Sequence, residues 1–112
     1  MAGAIDPAAF AELEAAAGVE FVRELVATFL TEAPAMLGEL RGALDAGDAD
    51  RFRRAAHSLK SNANTFGARA LGERARAFEL GGIASARADG ALAALEAEYR
   101  RATDALTGLT RG

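Results

Sequence analysis

Apolar side chains recur three or four residues apart along most of the chain, and this spacing limits the fold more than any other feature. Within residues 19–46 the spacing is carried by Phe21, Val22, Leu25, Phe29, Met36, Leu37, Leu40 and Leu44. A repeat of about 3.6 residues is that of an amphipathic α-helix with one buried stripe. The composition agrees, because Ala and Leu dominate the 51% of hydrophobic residues and the chain has no Trp. We therefore expect an all-α protein.

Capping residues indicate where the helices begin and end. Asp6 followed by Pro7 predicts the start of a short first helix, and Gly18 predicts its end. Asp48 is the predicted N-cap of a third helix, which contains residue 57. That helix should stop near Gly67, since glycine adopts the left-handed conformation without strain.

The remaining boundaries are less sharply marked. Pro34 predicts a kink or a break in the second helix, because proline removes a backbone donor. A fourth helix should start near Ala68, with Gly81 and Gly82 weakening its middle and a later stop at "ARADG". A fifth covers "ALAALEAEYRRATDALTGL". Residues 1–112 are thus predicted to form a single domain, an antiparallel four-helix bundle with a short extra N-terminal helix.

Composition also restricts the class of function. The chain has no cysteine, which excludes disulfides and thiolate metal sites. Its net charge of −3 argues against nucleic-acid binding. No apolar run is long enough for a signal peptide or a membrane span, so we expect a cytoplasmic protein that binds no membrane. Because the core consumes one apolar stripe per helix, we expect a monomer.

The only histidine, His57, and the only lysine, Lys60, lie one helical turn apart in "RFRRAAHSLK". The core face of this third helix is predicted to consist of Phe52, Ala55, Ala56, Leu59, Ala63 and Phe66. At about 100° per residue, His57 falls roughly 150° from that face and should stand in solvent. It also lies in a basic segment, since residues 51–76 contain seven basic residues and one acid.

Polar neighbours share this outer face with His57: Arg53, Arg54, Lys60, Ser61 and Asn64. Surrounding cations should disfavour protonation of the imidazole and leave a nitrogen lone pair free near neutral pH. Metal binding is not expected, because the chain offers only carboxylates as further ligands and none is predicted near this face. A hydrolytic triad with Ser58 is weak, because adjacent helical residues diverge.

Phosphoryl transfer needs fewer protein groups than metal binding or a hydrolytic triad. It requires an accessible nucleophile and positive charge near the phosphoryl oxygens, and this face offers both. Lys60 lies about 5–6 Å from His57 between β-carbons and could stabilise a phosphoryl group on the ring.

"AAHSLKSNANTFGARAL" resembles the signature of histidine-containing phosphotransfer (HPt) domains. The matching residues are Ala56, His57, Leu59, Lys60, Phe66, Gly67, Ala68 and Leu71. The segments before and after this motif also resemble the family, so almost the whole chain is covered. Two residues depart from it: Ser61, where the family often has glycine, and Asn62, where it often has serine.

The resemblance implies a phosphoryl carrier without a kinase or phosphatase centre. His57 would accept the group from an aspartyl phosphate on the receiver domain of a hybrid sensor kinase and pass it to a response-regulator receiver. Lys60 would stabilise the phosphoryl charge. From their place on the exposed face, rather than from the resemblance, we predict that Arg53, Arg54, Ser61 and Asn64 contact the partner, with an ordinary solvated surface as the alternative. Gly67 is chiefly structural. No metal or cofactor is expected on this chain, because magnesium belongs to the receiver.

Two alternatives remain open. The dimerisation helices of a sensor kinase also carry an exposed histidine, but there an acidic residue and a nearby proline normally follow it, whereas Ser58 and Leu59 follow here. A helical adaptor without phosphoryl chemistry could use the basic face to dock an acidic partner.

Overall fold

The computed structural model of the protein describes residues 3–111, which contain helices and no strand. The helices are α1 (Pro7–Ala17), α2 (Val19–Ala46), α3 (Ala49–Thr65), α4 (Arg69–Ala86) and α5 (Ala91–Arg111). In the bundle α3 packs against α2 and α4, and α5 packs against α4 and α2. The short α1 lies against α2. The predicted all-α fold, a four-helix bundle with a short leading helix, is confirmed.

Asp6 holds the start of α1, as its predicted role as N-cap requires. Its Oδ1 accepts hydrogen bonds from the backbone N–H groups of Ala8 and Ala9, at 3.0 and 3.4 Å. Pro7 occupies the first helical position, where a missing N–H costs nothing. The N–H of Asp6 also donates to the carbonyl of Gly67 at 2.8 Å. This bond anchors α1 to the turn between α3 and α4.

The second helix runs without a break through Pro34, so the alternative of two separate helices is wrong. Pro34 is exposed. Proline leaves the carbonyl of Leu30 without its helical donor, and the helix continues despite this loss.

The buried stripe of α2 differs in part from the predicted one. Phe21 is 52% exposed, so its assignment to the core is wrong. The stripe is formed by Val22, Val26, Phe29, Ala33, Leu37, Leu40 and Ala43. Leu25, Met36 and Leu44 are only partly buried along its edges. Two positions of the stripe are alanines. Because alanine is only weakly hydrophobic, the apolar pattern does not indicate the centre of the buried face.

The third helix has the predicted boundaries. Oδ1 of Asp48 accepts a hydrogen bond from the Arg51 backbone N–H at 3.1 Å, and the chain leaves the helix through Gly67, whose φ is 78°. All six residues of its predicted core face are buried. This face fixes the rotation of α3 about its axis and therefore the direction of every polar residue on it.

A glycine interrupts the fourth helix. Gly82 has φ 69° and ψ −165°, outside the helical region, although helical hydrogen bonding resumes and continues to Ala86. Both predicted features of this segment, the weak glycine pair and the later end, are present.

Aromatic contacts connect the helices through the core. The rings of Phe52 and Phe78 lie 5.7 Å apart between centroids and join α3 to α4. Phe29 and Phe66 lie 5.5 Å apart and join α2 to the end of α3. Such tilted pairs add to the stabilisation from burial. The predicted core residues Leu59, Phe66, Leu71 and Phe78 are all buried.

Between residues 3 and 111, no helix combines the length and the apolar character needed to cross a bilayer.

Candidate functional site

His57 stands on the outer face of α3, as its position on the helical wheel predicts. Its side chain is 57% exposed, whereas that of Lys60, one turn later, is only 23% exposed. The imidazole is therefore accessible to a reaction partner, while the lysine lies lower, against the neighbouring helix.

Glu79 of α4 contacts both residues, and the expectation that no carboxylate lies near this face is wrong. Its Oε2 lies 2.7 Å from Nδ1 of His57, and its Oε1 lies 2.6 Å from Nζ of Lys60. Oε1 is shielded from solvent. The centre is thus a three-residue cluster across two helices, rather than an imidazole surrounded only by cations and hydrogen-bond donors.

The cluster determines which ring nitrogen can react. The hydrogen bond from Lys60, followed by that from His57, lowers the pKa of Glu79 below its ordinary value. An ionised carboxylate only accepts hydrogen bonds, so Nδ1 of His57 carries the donated proton. In the neutral ring the lone pair is then on Nε2, which forms no hydrogen bond with any residue the structure describes. The arrangement presents Nε2 to solvent as the nucleophile.

Arg53 and Arg54 lie on the exposed face of α3, but both pair with one acid. Arg53 Nη2 lies 2.8 Å from Asp50 Oδ1, and Arg54 Nη1 lies 3.3 Å from Asp50 Oδ2. Asp50 therefore neutralises part of the charge that the sequence assigns to this region.

Ser61 and Asn64 are exposed on α3, as predicted. Asn64 packs against α4 beside Gly72. A β-carbon on Gly72 would lie 2.3 Å from Oδ1 of Asn64, so the absence of a side chain there makes room for the amide.

Gly67 is structural for two reasons, its backbone conformation and its close contact with α1. Its positive φ of 78° is a conformation that residues with a β-carbon rarely adopt. In addition, a β-carbon would lie 3.0 Å from Cβ of Ala9 and 3.2 Å from the carbonyl oxygen of Asp6. Gly67 thus lets α1 approach the turn.

Metal binding finds no geometric support in the described part of the chain, where no three His, Cys, Asp or Glu residues are grouped closely enough to hold an ion.

Comparison with protein families connects this geometry to a known group. The family described as "Hpt domain" matches residues 24–107, which include α3, α4 and the whole cluster around His57. The chain belongs to the Hpt family. Hpt domains are the histidine phosphotransfer proteins of phosphorelays, and they carry a phosphoryl group without a catalytic centre of their own. The helix α1 precedes the matched residues.

A solved Hpt structure is similar over nearly the full length. The crystal structure of histidine-containing phosphotransfer protein B from Pseudomonas aeruginosa PAO1 is 25% identical, with a TM-score of 0.83. The similarity covers 99% of this chain and 97% of the other, so it includes α1. A search of curated proteins found no match.

Membership in the Hpt family favours phosphotransfer over the sensor-kinase and adaptor alternatives. The two departures from the motif are accommodated within α3. Ser61 is exposed, and its carbonyl accepts a hydrogen bond from the Thr65 hydroxyl at 2.9 Å. The Asn62 amide donates to the Ser58 carbonyl of its own helix at 2.9 Å and contacts Sδ of Met36, on α2, at 4.0 Å. The imidazole side chain stays 57% exposed.

Sequence reasoning missed Glu79, although a signal for it exists. His57 and Glu79 lie the same number of residues before and after Ala68, at the turn between α3 and α4. In an antiparallel helix pair, residues equidistant from a tight turn lie at the same height. Applying this rule to the predicted turn would have placed a carboxylate opposite His57.

Proposed function

We propose that His57 accepts a phosphoryl group from an aspartyl phosphate on the receiver domain of a hybrid sensor kinase and passes it to the receiver domain of a response regulator. The observation that supports this most is the exposed imidazole whose Nδ1 is held by Glu79 at 2.7 Å, leaving Nε2 open to solvent. A nucleophile in this state meets the main requirement of phosphoryl transfer, which is in-line access.

The proposed step balances without a base. The lone pair of Nε2 attacks phosphorus, the new N–P bond forms, and the bond from phosphorus to the aspartyl oxygen breaks. The aspartate leaves as a carboxylate. Because Nδ1 keeps its proton, the product ring is a cationic phosphoimidazolium beside the Glu79 carboxylate. A protonated ring is also the better leaving group when a second aspartate takes the phosphoryl group, so the same contact assists transfer in both directions.

The residues around His57 would stabilise the charge of the phosphoryl group and bind the partner. We assign Lys60 to phosphoryl electrostatics, since it lies one turn from His57 and is the cation of the cluster. We assign Arg53, Arg54, Ser61 and Asn64 to partner contact, since all four side chains are exposed on α3.

We also propose that the chain works as a cytoplasmic monomer, with no metal or cofactor of its own and with magnesium bound by the partner receiver. The apolar stripes of the helices face one shared core, which supports the monomer. Concentration-dependent dimerisation in sedimentation velocity would contradict it.

The test is transfer of labelled phosphate from a phosphorylated receiver domain to the chain and to its His57→Gln variant. We expect label on the wild type only, with the acid lability and alkali stability of a phosphoramidate. Ser58→Ala is the matched control, because Ser58 is an exposed neighbour on the same helix; it should label normally. A wild-type chain that no receiver or hybrid kinase can label would instead support the adaptor function.

A further inference from the structure

Charge around His57 is more fully compensated than the sequence indicates. Within residues 51–76, five of the seven basic residues form ion pairs: Arg51 with Glu39, Arg53 and Arg54 with Asp50, Lys60 with Glu79, and Arg69 with Asp6. In particular, the charge of Lys60 is balanced by Glu79, so the cluster offers little net positive charge to an incoming dianion. Arg74 and Arg76 are the two that pair with no acid in residues 3–111.

The register between α3 and α4 places Arg76 near the site. Two contacts between these helices join residues equidistant from Ala68: Asn64 with Gly72, and His57 with Glu79. By the same register Arg76 lies opposite Lys60. Gly72, Arg76 and Glu79 are spaced four and three residues apart, which places them on one stripe of α4.

Arg76 is exposed at the junction of α3 and α4, where it lines a groove of about 230 Å³ with Asn64, Arg69, Gly72 and Glu73. His57 and Glu79 lie beyond this groove, farther from the turn at Ala68. Arg74 lies two residues away, roughly 200° around the helix, and is not part of this groove. Arg76 is therefore the uncompensated cation on the side of the bundle where His57 meets Glu79.

We infer that Arg76 binds the oxygens of the phosphoryl group while His57 carries it, an inference that rests on the proposed function. A phosphoryl group on Nε2 adds about two negative charges beside the Glu79 carboxylate. A guanidinium can donate two parallel hydrogen bonds to such a group, and a long arginine side chain can extend one turn along α4 toward Glu79, which contacts His57. Arg76 would then supply positive charge that Lys60, already paired, provides only in part.

The experiment measures the equilibrium constant for transfer between a phosphorylated receiver domain and the chain. Arg76→Gln should shift this equilibrium toward the receiver by roughly 3–10-fold, the range expected for loss of one charge-assisted contact at an exposed site. Arg76→Lys should restore part of the effect, because it keeps the charge but not the planar donor pair. Arg74→Gln is the matched control and should leave the equilibrium unchanged.

The equilibrium constant distinguishes a contact of Arg76 with the phosphoryl group from a contact of Arg76 with the receiver domain. If Arg76 contacted only the receiver, Arg76→Gln would change the forward and reverse rates equally and leave the equilibrium constant unaltered, which would overturn the inference. An effect of the same size in Arg74→Gln would also overturn it. A wild type that accepts no label refutes the proposed function itself, whereas normal labelling with an unshifted equilibrium refutes the role of Arg76 alone.

Discussion

Glu79 acts on His57 through two properties of one carboxylate. As a hydrogen-bond acceptor it fixes the proton on Nδ1, at 2.7 Å, and as an anion it stabilises a positive ring. A glutamine removes the charge and leaves a single acceptor oxygen, which cannot serve both His57 and Lys60, while an alanine removes the charge and both acceptors. The two substitutions therefore weaken the contact in two steps.

We expect Glu79→Gln to weaken the preference for the Nδ1–H tautomer of His57, because its one oxygen cannot accept from both His57 and Lys60. Phosphoryl acceptance should slow by roughly 5-fold, as expected when a charged hydrogen-bond partner becomes neutral. Glu79→Ala should lose the tautomer preference entirely and be slower still. Nitrogen-15 shifts of the imidazole report the tautomer, and single-turnover labelling reports the rate. Glu73→Gln, an exposed acid on the same helix, is the control. An Ala variant that retained both the tautomer and the rate would refute the role of Glu79.

At the level of elements, the turn between α3 and α4 sets the alignment of these two helices, which brings Glu79 next to His57. Gly67 has a left-handed backbone and also packs closely against α1. Gly47 shares only the first of these features, so comparing the two glycines separates the effects. Gly47 also has a positive φ, of 69°, but a β-carbon there would meet no atom within 4 Å. A substitution at Gly47 therefore incurs only the conformational cost.

We expect Gly47→Ala to lower the free energy of unfolding by about 1 kcal/mol, and Gly67→Ala by about 2–3 kcal/mol, because the second also displaces Ala9 or the Asp6 carbonyl. Urea denaturation measures both. Equal losses in the two variants would show that the contact with α1 adds nothing. His57 lies almost three turns from Gly67, so labelling of the folded Gly67→Ala fraction should remain normal.

The elements also show what the sequence can and cannot predict. Asp6, Asp48 and Gly67 predict helix ends correctly because capping is a local interaction. The exposure of His57 follows from the period of one helix. The sequence pattern wrongly places Phe21 in the core and does not reveal the role of Glu79. In both cases the surroundings of the residue depend on how separate helices rotate and align. For Glu79 the turn position contains that information, whereas the exposure of Phe21 depends on packing that no local pattern specifies.

For the whole molecule, ion pairs and caps connect stability to pH. Four carboxyl groups have a pKa below the ordinary value: Asp6 chiefly through the Ala8 N–H, Glu39 through Arg51, Asp50 through Arg53, and Glu79 through Lys60. The ordinary values are 3.8 for Asp and 4.5 for Glu. Since the unfolded chain binds protons at a higher pH than the folded one, these groups stabilise the fold fully above the ordinary values. The stabilisation is lost as the pH falls through the lowered values of the folded state.

The urea midpoint should therefore stay level near neutral pH and fall progressively once the pH drops below 4.5, then below 3.8. Salt distinguishes the contributions. Exposed pairs such as Glu39 with Arg51 are screened at high ionic strength, so 0.5 M NaCl should flatten part of the decline. The contribution of Asp6 should persist, because backbone N–H groups at the start of α1 are its main partners. Asp6→Asn keeps the cap but cannot ionise, so it should remove the part of the salt-resistant decline that Asp6 contributes and leave the part from the half-buried Glu79 contact, which salt screens little. A midpoint that rises on acidification, or a decline in salt that Asp6→Asn leaves intact, would contradict this assignment.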